Sequence, residues 1–126
     1  VICRFCSNYG PTATLDAAKA VTGWQDLTTA EASDIGRRAI NLLRAFNLRA
    51  RLDIATEVPS KRYASTPVDG PAQGKGMAEH FITMRRAYWR ELGWDPDSGY
   101  PLSTTLIALG LDDVAADLAA LGGDVG

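Results

Sequence analysis

The sequence predicts an all-α fold, an irregular multi-helix domain interrupted by a long connection rich in proline and glycine. Apolar residues recur every three or four positions over the longest ordered stretches, which is helical spacing. Capping residues stand at the ends of several of these stretches. No pair of stretches alternates apolar and polar residues in the way that paired strands do. We therefore expect residues 1–126 to form a single helical domain.

Two helices are predicted in the first third of the chain. Thr14 is the expected N-cap of a short, alanine-rich helix that ends at Val21, with Gly23 just beyond it. The run from Thr28 to Glu31 matches a capping box, in which hydroxyl and carboxylate each satisfy a backbone donor at the start of a longer helix. The apolar residues of that helix recur with helical spacing, so we expect them to face a core: Ile35, Ala39, Leu42, Leu43 and Phe46.

The stretch from Ala50 to Met77 shows no period and alternates prolines with glycines. A structureless connection of that length is uncommon inside a compact domain, so we expect it to wrap over a neighbouring surface. Helical spacing then resumes from Ala78 to Leu92. Gly93 is the expected left-handed cap of this helix, and Trp94 is placed to fold back on its last turn.

A turn and two short helices are predicted at the end of the chain. The turn comprises residues 95–99, which are rich in aspartate, proline and glycine. Ser103 is the expected cap of a helix that ends at Gly110, and Asp112 the expected cap of one that ends at Gly122. The last helix has an apolar face formed by Val114, Leu118 and Leu121.

Composition argues against several classes of partner and compartment. Thirteen lysines and arginines face fifteen aspartates and glutamates, so the basic excess expected of a nucleic-acid binder is missing. No apolar run approaches the ~18 residues that a membrane span needs, and no signal-peptide pattern is visible. Two cysteines cannot build the disulfide framework of a small secreted protein. We therefore expect a cytoplasmic protein that binds neither nucleic acid nor membrane.

Cys3 and Cys6 form a C-x-x-C motif that has several interpretations. A thioredoxin-like redox pair needs a preceding strand and a helix N-terminus. A structural zinc site needs four ligands, and the chain adds only one histidine, His80, to its two cysteines. An iron–sulfur cluster also needs four ligands, so this chain would donate to a cluster completed from elsewhere. Two ordinary buried thiols are the remaining alternative, and the residues alone favour it.

Other chemistry-bearing residues also have structural alternatives. A basic cluster around the long helix would suit an acidic electron carrier, but internal ion pairs or contacts with an adjoining domain explain it better: Arg37, Arg38, Arg44, Arg49 and Arg51. His80 has no partner for general-base work, and we interpret it as an exposed or structurally satisfied side chain. Trp24, Trp89 and Trp94 are interpreted as core anchors, and Asn41 and Asn47 as structural residues that bond backbone.

Four stretches together resemble a known family in their order and spacing. They are Gly-Arg-Arg-Ala-Ile-Asn-Leu-Leu-Arg-Ala-Phe-Asn at residues 36–47, Pro-Ser-Lys-Arg-Tyr at 59–63, Tyr-Trp-Arg-Glu-Leu-Gly-Trp-Asp at 88–95 and Leu-Ile-Ala-Leu-Gly-Leu at 106–111. The chain resembles the C-terminal helical domain of the aldehyde:ferredoxin oxidoreductase family over roughly residues 1–118. The resemblance implies one part of a larger tungsten–bispterin enzyme, which oxidises aldehydes to carboxylic acids and passes electrons through a [4Fe–4S] cluster to ferredoxin.

The resemblance also implies two site residues near the start of the chain. In the family, three cluster cysteines lie far upstream in a C-x-x-C-x-x-x-C run, and the fourth follows an Asp-x-x-Gly-Leu motif that contacts the pterin. Residues 1–5 resemble the end of that motif, so Cys3 matches the fourth cluster ligand and Ile2 lies beside the pterin. Cys6 is then a packed thiol. The catalytic acids and bases would lie upstream, and the 126 residues alone are expected to be inactive.

Partners implied by the resemblance are the upstream domains of the same enzyme and ferredoxin, while homo-oligomerisation stays open. The chain departs from the family pattern at Ala50, where glycine is usual, at an inserted Ser60, and at an extra residue between Trp24 and Thr28. Two alternative functions remain. One is a subunit of an aromatic acyl-CoA reductase of the same family, and the other is a stand-alone helical interaction module without redox chemistry.

Overall fold

Residues 10–122 are described by a computed structural model, and over this range they form six α-helices and no strand. The prediction of an all-α fold is therefore confirmed. Trp94 and Pro101 form an isolated antiparallel bridge, and a short 3₁₀ helix spans Ile54–Thr56. The α-helices are α1 Pro11–Thr22, α2 Thr29–Arg49, α3 Lys61–Ala64, α4 Phe81–Glu91, α5 Ser103–Ala108 and α6 Asp112–Ala120.

The chain divides into two compact units, Val1–Ile40 and Asn41–Gly126, with the division inside α2. In the first unit, α1 begins at Pro11, with Gly10 rather than Thr14 as its N-cap. Proline suits this position because its fixed φ is already helical and its missing N–H has no partner in a first turn. Gly23 ends α1 in the left-handed conformation, as predicted, with φ 74° and its N–H donating to the Lys19 carbonyl at 2.9 Å.

The predicted capping box at the start of α2 is confirmed. The Thr28 N–H donates to Glu31 Oε2 at 2.8 Å, and the Glu31 N–H donates to Thr28 Oγ1 at 3.2 Å. The hydrogen bond from the Thr28 backbone, followed by the one from its hydroxyl, lowers the pKa of Glu31. A carboxylate at this helix end also interacts favourably with the positive end of the helix dipole.

In the second unit, the core lies where α2 ends and the two C-terminal helices pack together. Its members are small and branched apolar residues: Ala45, Leu48, Leu106, Leu109, Leu111, Ala115 and Leu118. α5 and α6 pack against each other, and only a short turn containing Gly110 separates them. The last α-helical segments of the chain therefore depend on the C-terminal half of α2 for their core.

Helix positions near the C-terminus were predicted well, but the caps were not. Leu102 and Leu111 are the N-caps of α5 and α6, and neither makes a side-chain capping bond. Ser103 and Asp112 are instead the first helical residues. Leu121, predicted to belong to the apolar face of the last helix, is more than half exposed, and Ala115 takes a buried place beside Leu118.

The stripe of α2 that was predicted to face a core is exposed. Ile35, Leu42, Leu43 and Phe46 are 44%, 44%, 65% and 69% exposed, and Ala39 is exposed as well. The buried residues of α2 form a different stripe, also with helical spacing: Asn41, Arg44, Ala45 and Leu48. Hydrophobic spacing did not indicate this stripe because two of its four members are polar.

Candidate functional site

The C-terminal end of α4 is built by a glycine cap that directs the chain back over the helix. The Gly93 N–H donates to the Arg90 carbonyl at 3.0 Å and the Trp94 N–H to the Trp89 carbonyl at 2.8 Å. Gly93 has φ 73°, which is the geometry of a Schellman motif. The predicted cap and the predicted return of Trp94 are thus confirmed. Both Trp89 and Trp94 are buried core anchors, whereas Trp24 in the first unit is 44% exposed.

Arg44 of α2 lies between these two indoles. Its guanidinium carbon is 5.3 Å from the centre of the Trp89 ring and 4.9 Å from that of Trp94, within cation–π range. Nε donates to the Gly99 carbonyl at 2.9 Å, and Nη1 donates to the Glu57 carboxylate. The side chain is only 5% exposed. Arginine suits such a site because its planar group stacks on aromatic rings and donates in a fixed fork.

Gly99 is required at this place for two reasons. Its φ of 67° lies in the left-handed region, which disfavours residues with a Cβ. A Cβ built on Gly99 would also overlap the Arg44 guanidinium and the Trp89 ring. The close approach of the backbone lets the Gly99 carbonyl accept the hydrogen bond from Arg44 Nε.

The turn that leads to Gly99 is held by one carboxylate. Asp95 Oδ1 accepts hydrogen bonds from the Ser98 hydroxyl at 2.7 Å, the Ser98 N–H at 2.6 Å and the Asp97 N–H at 3.1 Å. The Ser98 hydroxyl, followed by the Ser98 N–H, lowers the pKa of Asp95. The turn cluster predicted at residues 95–99 is therefore present and has a definite internal structure.

Asn41 completes this cluster on the α2 side. It is fully buried, and its Oδ1 accepts the Trp94 indole N–H at 2.9 Å. The prediction that Asn41 has a structural role agrees with this contact to the Trp94 side chain. Spacing gave no signal for the pairing, because Trp94 lies far along the chain.

A second arginine, Arg85 of α4, links the Trp89 ring to Glu57 in the connection between α2 and α4. The Arg85 guanidinium lies over the Trp89 ring at 4.5 Å and donates to the Glu57 carbonyl at 3.1 Å. Glu57 is therefore held through its carboxylate by Arg44 and through its backbone by Arg85. We call Asn41, Arg44, Glu57, Arg85, Trp89, Trp94 and Gly99 the arginine–tryptophan cluster.

The arginine–tryptophan cluster organises the second unit through hydrogen bonds and ring contacts. It includes neither a thiol nor an imidazole, and its one carboxylate, that of Glu57, accepts a hydrogen bond from Arg44. Over residues 10–122, no three histidine, cysteine or carboxylate side chains come together as a metal site. In the same range no helix has the length and apolar character of a membrane span.

Two arginines of the basic cluster predicted around α2 form ion pairs within the chain. Arg44 pairs with Glu57, and Arg49 Nη1 lies 3.1 Å from Asp117 Oδ2 at the surface. Arg37 and Arg38 also have partners. The interpretation as internal ion pairs is confirmed for Arg44 and Arg49.

His80 is exposed, as one of its two interpretations predicted. It precedes the first residue of α4, and its Nε2 lies 3.4 Å from the Glu79 carboxylate while its side chain is 68% exposed. Neither residue belongs to the arginine–tryptophan cluster.

The residues to which the resemblance assigns cofactor chemistry lie outside residues 10–122. Ile2, the residue beside the pterin, and Cys3, the cluster ligand, therefore stay predictions, as does the packed thiol Cys6. The signal for them is the family pattern alone.

Comparison with known proteins agrees with the resemblance seen in the sequence. The family model described as "Aldehyde ferredoxin oxidoreductase, domains 2 & 3" matches residues 1–111. The tungsten-containing aldehyde ferredoxin oxidoreductase of Pyrococcus furiosus is 36% identical over 88 residues, which cover 68% of this chain and 14% of that protein. The protein of the same name from Pyrococcus horikoshii is 34% identical over 100 residues, or 78% of this chain and 16% of that protein.

The relative from Thermococcus kodakarensis, again a tungsten-containing aldehyde ferredoxin oxidoreductase, is 36% identical over 88 residues, with the same coverage as the first. No solved structure matches the chain significantly. The chain spans only about one seventh of the length of the curated relatives it matches. Because the family model matches residues 1–111, which is most of the chain, the chain belongs to the aldehyde ferredoxin oxidoreductase family.

Proposed function

We propose that this chain is the C-terminal helical part of a larger cytoplasmic tungsten–bispterin oxidoreductase that converts aldehydes to carboxylic acids and delivers the electrons to ferredoxin. The family match over residues 1–111 is the observation that supports it most. The relatives bear the name of tungsten-containing aldehyde ferredoxin oxidoreductases and are several times longer than this chain. The catalytic groups would then belong to the part of the enzyme that precedes Val1.

Cys3 has the chemistry that the proposed cluster requires. Thiolates are the usual ligands of a [4Fe–4S] cluster, which needs four of them. The chain has two cysteines in all, so the preceding part would have to supply the other ligands. Cys3 would donate one thiolate and Ile2 would provide an apolar contact beside the pterin.

The overall reaction takes one aldehyde and one water to a carboxylic acid, two protons and two electrons, and the bound tungsten centre and cluster would accept and relay those electrons. This chain contributes a helical body in which the arginine–tryptophan cluster fixes α2 to the end of α4. We propose that this body forms part of the substrate-channel wall and covers the cofactors. The arginine–tryptophan cluster would keep that wall rigid without moving a proton.

The test uses the protein translated from the complete natural reading frame. We expect tungsten and iron in the purified protein, broad visible absorption, and aldehyde-dependent reduction of ferredoxin. Cys3→Ser should lose the cluster absorption and electron delivery, whereas the matched control Cys6→Ser should keep both. Unchanged absorption in Cys3→Ser would refute the ligand assignment.

The substrate class is decided in the same preparation. Activity with aryl-CoA thioesters but not with aldehydes would assign the scaffold to an aromatic acyl-CoA reductase. If the protein contained neither tungsten nor pterin and showed neither activity, the remaining function would be that of a helical interaction module. The isolated 126 residues are expected to be inactive in every assay.

A further inference from the structure

The C-terminal half of α2 has apolar residues on its exposed side as well as among its buried residues. Leu42, Leu43 and Phe46 are exposed, while Asn41 and Arg44 of the same helix are buried. A surface helix ordinarily turns apolar residues inward and charged residues outward. Leu42 and Leu43 are four and three residues from Phe46, a spacing that puts the three side chains on one face. We call these three residues the outer apolar face.

No charge lies among the residues of this face. Asn47 and Ala50, which follow in sequence, are exposed and uncharged. The adjacent cation, Arg49, has its guanidinium on Asp117. Arg38, four residues before Leu42, also has a partner. The three side chains themselves therefore offer no charge to a charged partner. The chemistry of the face fits an apolar, uncharged surface.

The size of the face decides between two kinds of partner. A stable interface between free proteins buries about 800 Å² on each side. The exposed parts of two leucines and one phenylalanine do not reach that area, so the face alone would not hold a second copy of the chain. A covalently connected partner needs far less area, because the connection supplies a high effective concentration.

The relatives offer such a connected partner. The chain spans 14% to 16% of their length, so each relative has several times more polypeptide outside the matched region than inside it. We infer that the outer apolar face of Leu42, Leu43 and Phe46 binds an apolar surface of the polypeptide that precedes this chain in the complete enzyme. The inference rests on the proposed function only for the existence of that polypeptide.

The experiment places Phe46→Asp in the 126-residue chain and in the protein from the complete reading frame. Phe46 is exposed in the 126-residue chain, so in that chain the variant should have the same urea midpoint of unfolding as the wild type. In the complete protein a carboxylate would enter an apolar contact, which is unfavourable. Proteolysis within residues 1–126 should then become about tenfold faster or more, because the cleavage rate is proportional to the fraction of molecules that are locally opened.

Two controls separate burial from a general effect of charge. Phe46→Leu keeps the face apolar and should restore wild-type protease resistance in the complete protein. Val68→Asp adds the same charge at a side chain that is 84% exposed and should have little effect in either protein.

Three outcomes would overturn the inference. Equal destabilisation by Phe46→Asp in both proteins would mean that the face is internal to the chain. No effect in either protein would mean that nothing covers it. A dimer of the 126-residue chain that Phe46→Asp dissociates, with the complete protein unaffected, would assign the face to a second copy. The readout is structural, so a complete protein that fails to oxidise aldehydes would refute the proposed function and leave this result standing.

Discussion

Trp94 donates its indole N–H to Oδ1 of Asn41 at 2.9 Å, and 53 residues separate the two in sequence. Asn41 is fully buried and Trp94 is 6% exposed, so neither group has water as an alternative partner. Buried polar groups are nearly always paired in this way. The bond fixes the C-terminal half of α2 to the residue that follows the cap of α4.

We predict that Asn41→Leu lowers the free energy of unfolding by about 1–3 kcal/mol, because it leaves the buried indole N–H of Trp94 without its acceptor. The change is measured by urea denaturation of the 126-residue chain. Asn47→Leu is the matched control, since Asn47 is exposed on the same helix, and it should change stability by less than about 0.5 kcal/mol. Equal effects of the two substitutions would contradict the assigned role of this bond.

Five of the six α-helices within residues 10–122 were predictable from sequence because their signals are local, whereas α3 and the 3₁₀ helix lie in the stretch that was predicted to be structureless. Thr28 and Glu31 lie within one turn of each other, and Gly23 and Gly93 act on the helices that immediately precede them. Such signals depend on a few neighbouring residues, so they survive without knowledge of the tertiary structure. The all-α class follows directly from them.

The buried side of α2 was not predictable in the same way. Its apolar residues have helical spacing, but the structure buries Asn41 and Arg44 instead of Leu43 and Phe46. Trp94 donates a hydrogen bond to Asn41, and Glu57 and Gly99 accept hydrogen bonds from Arg44, although Arg44 Nη2 is buried without a hydrogen-bond partner. These partners come from distant parts of the chain. Hydrophobic periodicity considers only the polarity of each residue and takes no account of partners elsewhere in the chain.

For the candidate site, sequence reasoning depended on the family pattern. A lone C-x-x-C motif is compatible with redox, zinc, cluster and structural roles, so Cys3 could not be assigned from its spacing to Cys6. The match to the downstream helices supplied the register on which the predicted roles of Cys3 and Ile2 depend. The arginine–tryptophan cluster was missed because its members are spread from Asn41 to Gly99.

A second prediction concerns Gly99. Gly99→Ala should destabilise the chain by two effects, the cost of a left-handed conformation and the overlap of the new Cβ with Arg44 and Trp89. The first effect alone is about 1–2 kcal/mol. Gly110→Ala is the control, because Gly110 has φ 69° but open space around its Cβ position.

The difference between the two alanine variants in urea denaturation therefore isolates the packing of the arginine–tryptophan cluster. We expect Gly99→Ala to be the more destabilising substitution, and its tryptophan fluorescence should also change because Trp89 must move. If Gly110→Ala cost as much as Gly99→Ala, the close approach of the Gly99 backbone to Arg44 would have no energetic consequence.

A third prediction compares a partly buried ion pair with an exposed one. Arg44→Met removes the charged hydrogen bonds to Glu57 and Gly99, and hydrogen bonds to charged groups contribute about 1.5–3 kcal/mol each. Arg49→Met removes an ion pair with Asp117 in which both side chains are more than half exposed, and such pairs contribute about 0–1 kcal/mol. The free energy of unfolding, measured by urea denaturation, should therefore be clearly lower for Arg44→Met than for Arg49→Met.

Arg44→Lys refines this comparison. Lysine keeps the positive charge but lacks the planar group that stacks between Trp89 and Trp94 while donating in two directions. We expect its stability to fall between that of Arg44→Met and the wild type. Full retention of stability in Arg44→Lys would mean that charge alone accounts for the role of Arg44.

The last prediction is a pH dependence that involves Asp95. The Ser98 hydroxyl and N–H lower the pKa of this carboxyl in the folded chain, whereas the unfolded value is about 3.9. A group with a lowered folded-state pKa stabilises the fold fully above its unfolded pKa, and the contribution disappears as the pH falls through the folded value. The free energy of unfolding should therefore decrease as the solution is acidified from about pH 5.

Asp95→Asn tests this sign, because asparagine keeps an acceptor oxygen for Ser98 but does not titrate. The difference in unfolding free energy between wild type and Asp95→Asn should be constant above about pH 5 and should shrink toward lower pH. Ser98→Ala removes the hydroxyl that lowers the pKa most, so the Asp95 carboxyl should titrate at higher pH when followed by NMR. A wild-type curve that runs parallel to that of Asp95→Asn throughout would mean that the hydrogen bonds of this turn do not prefer the ionised carboxylate.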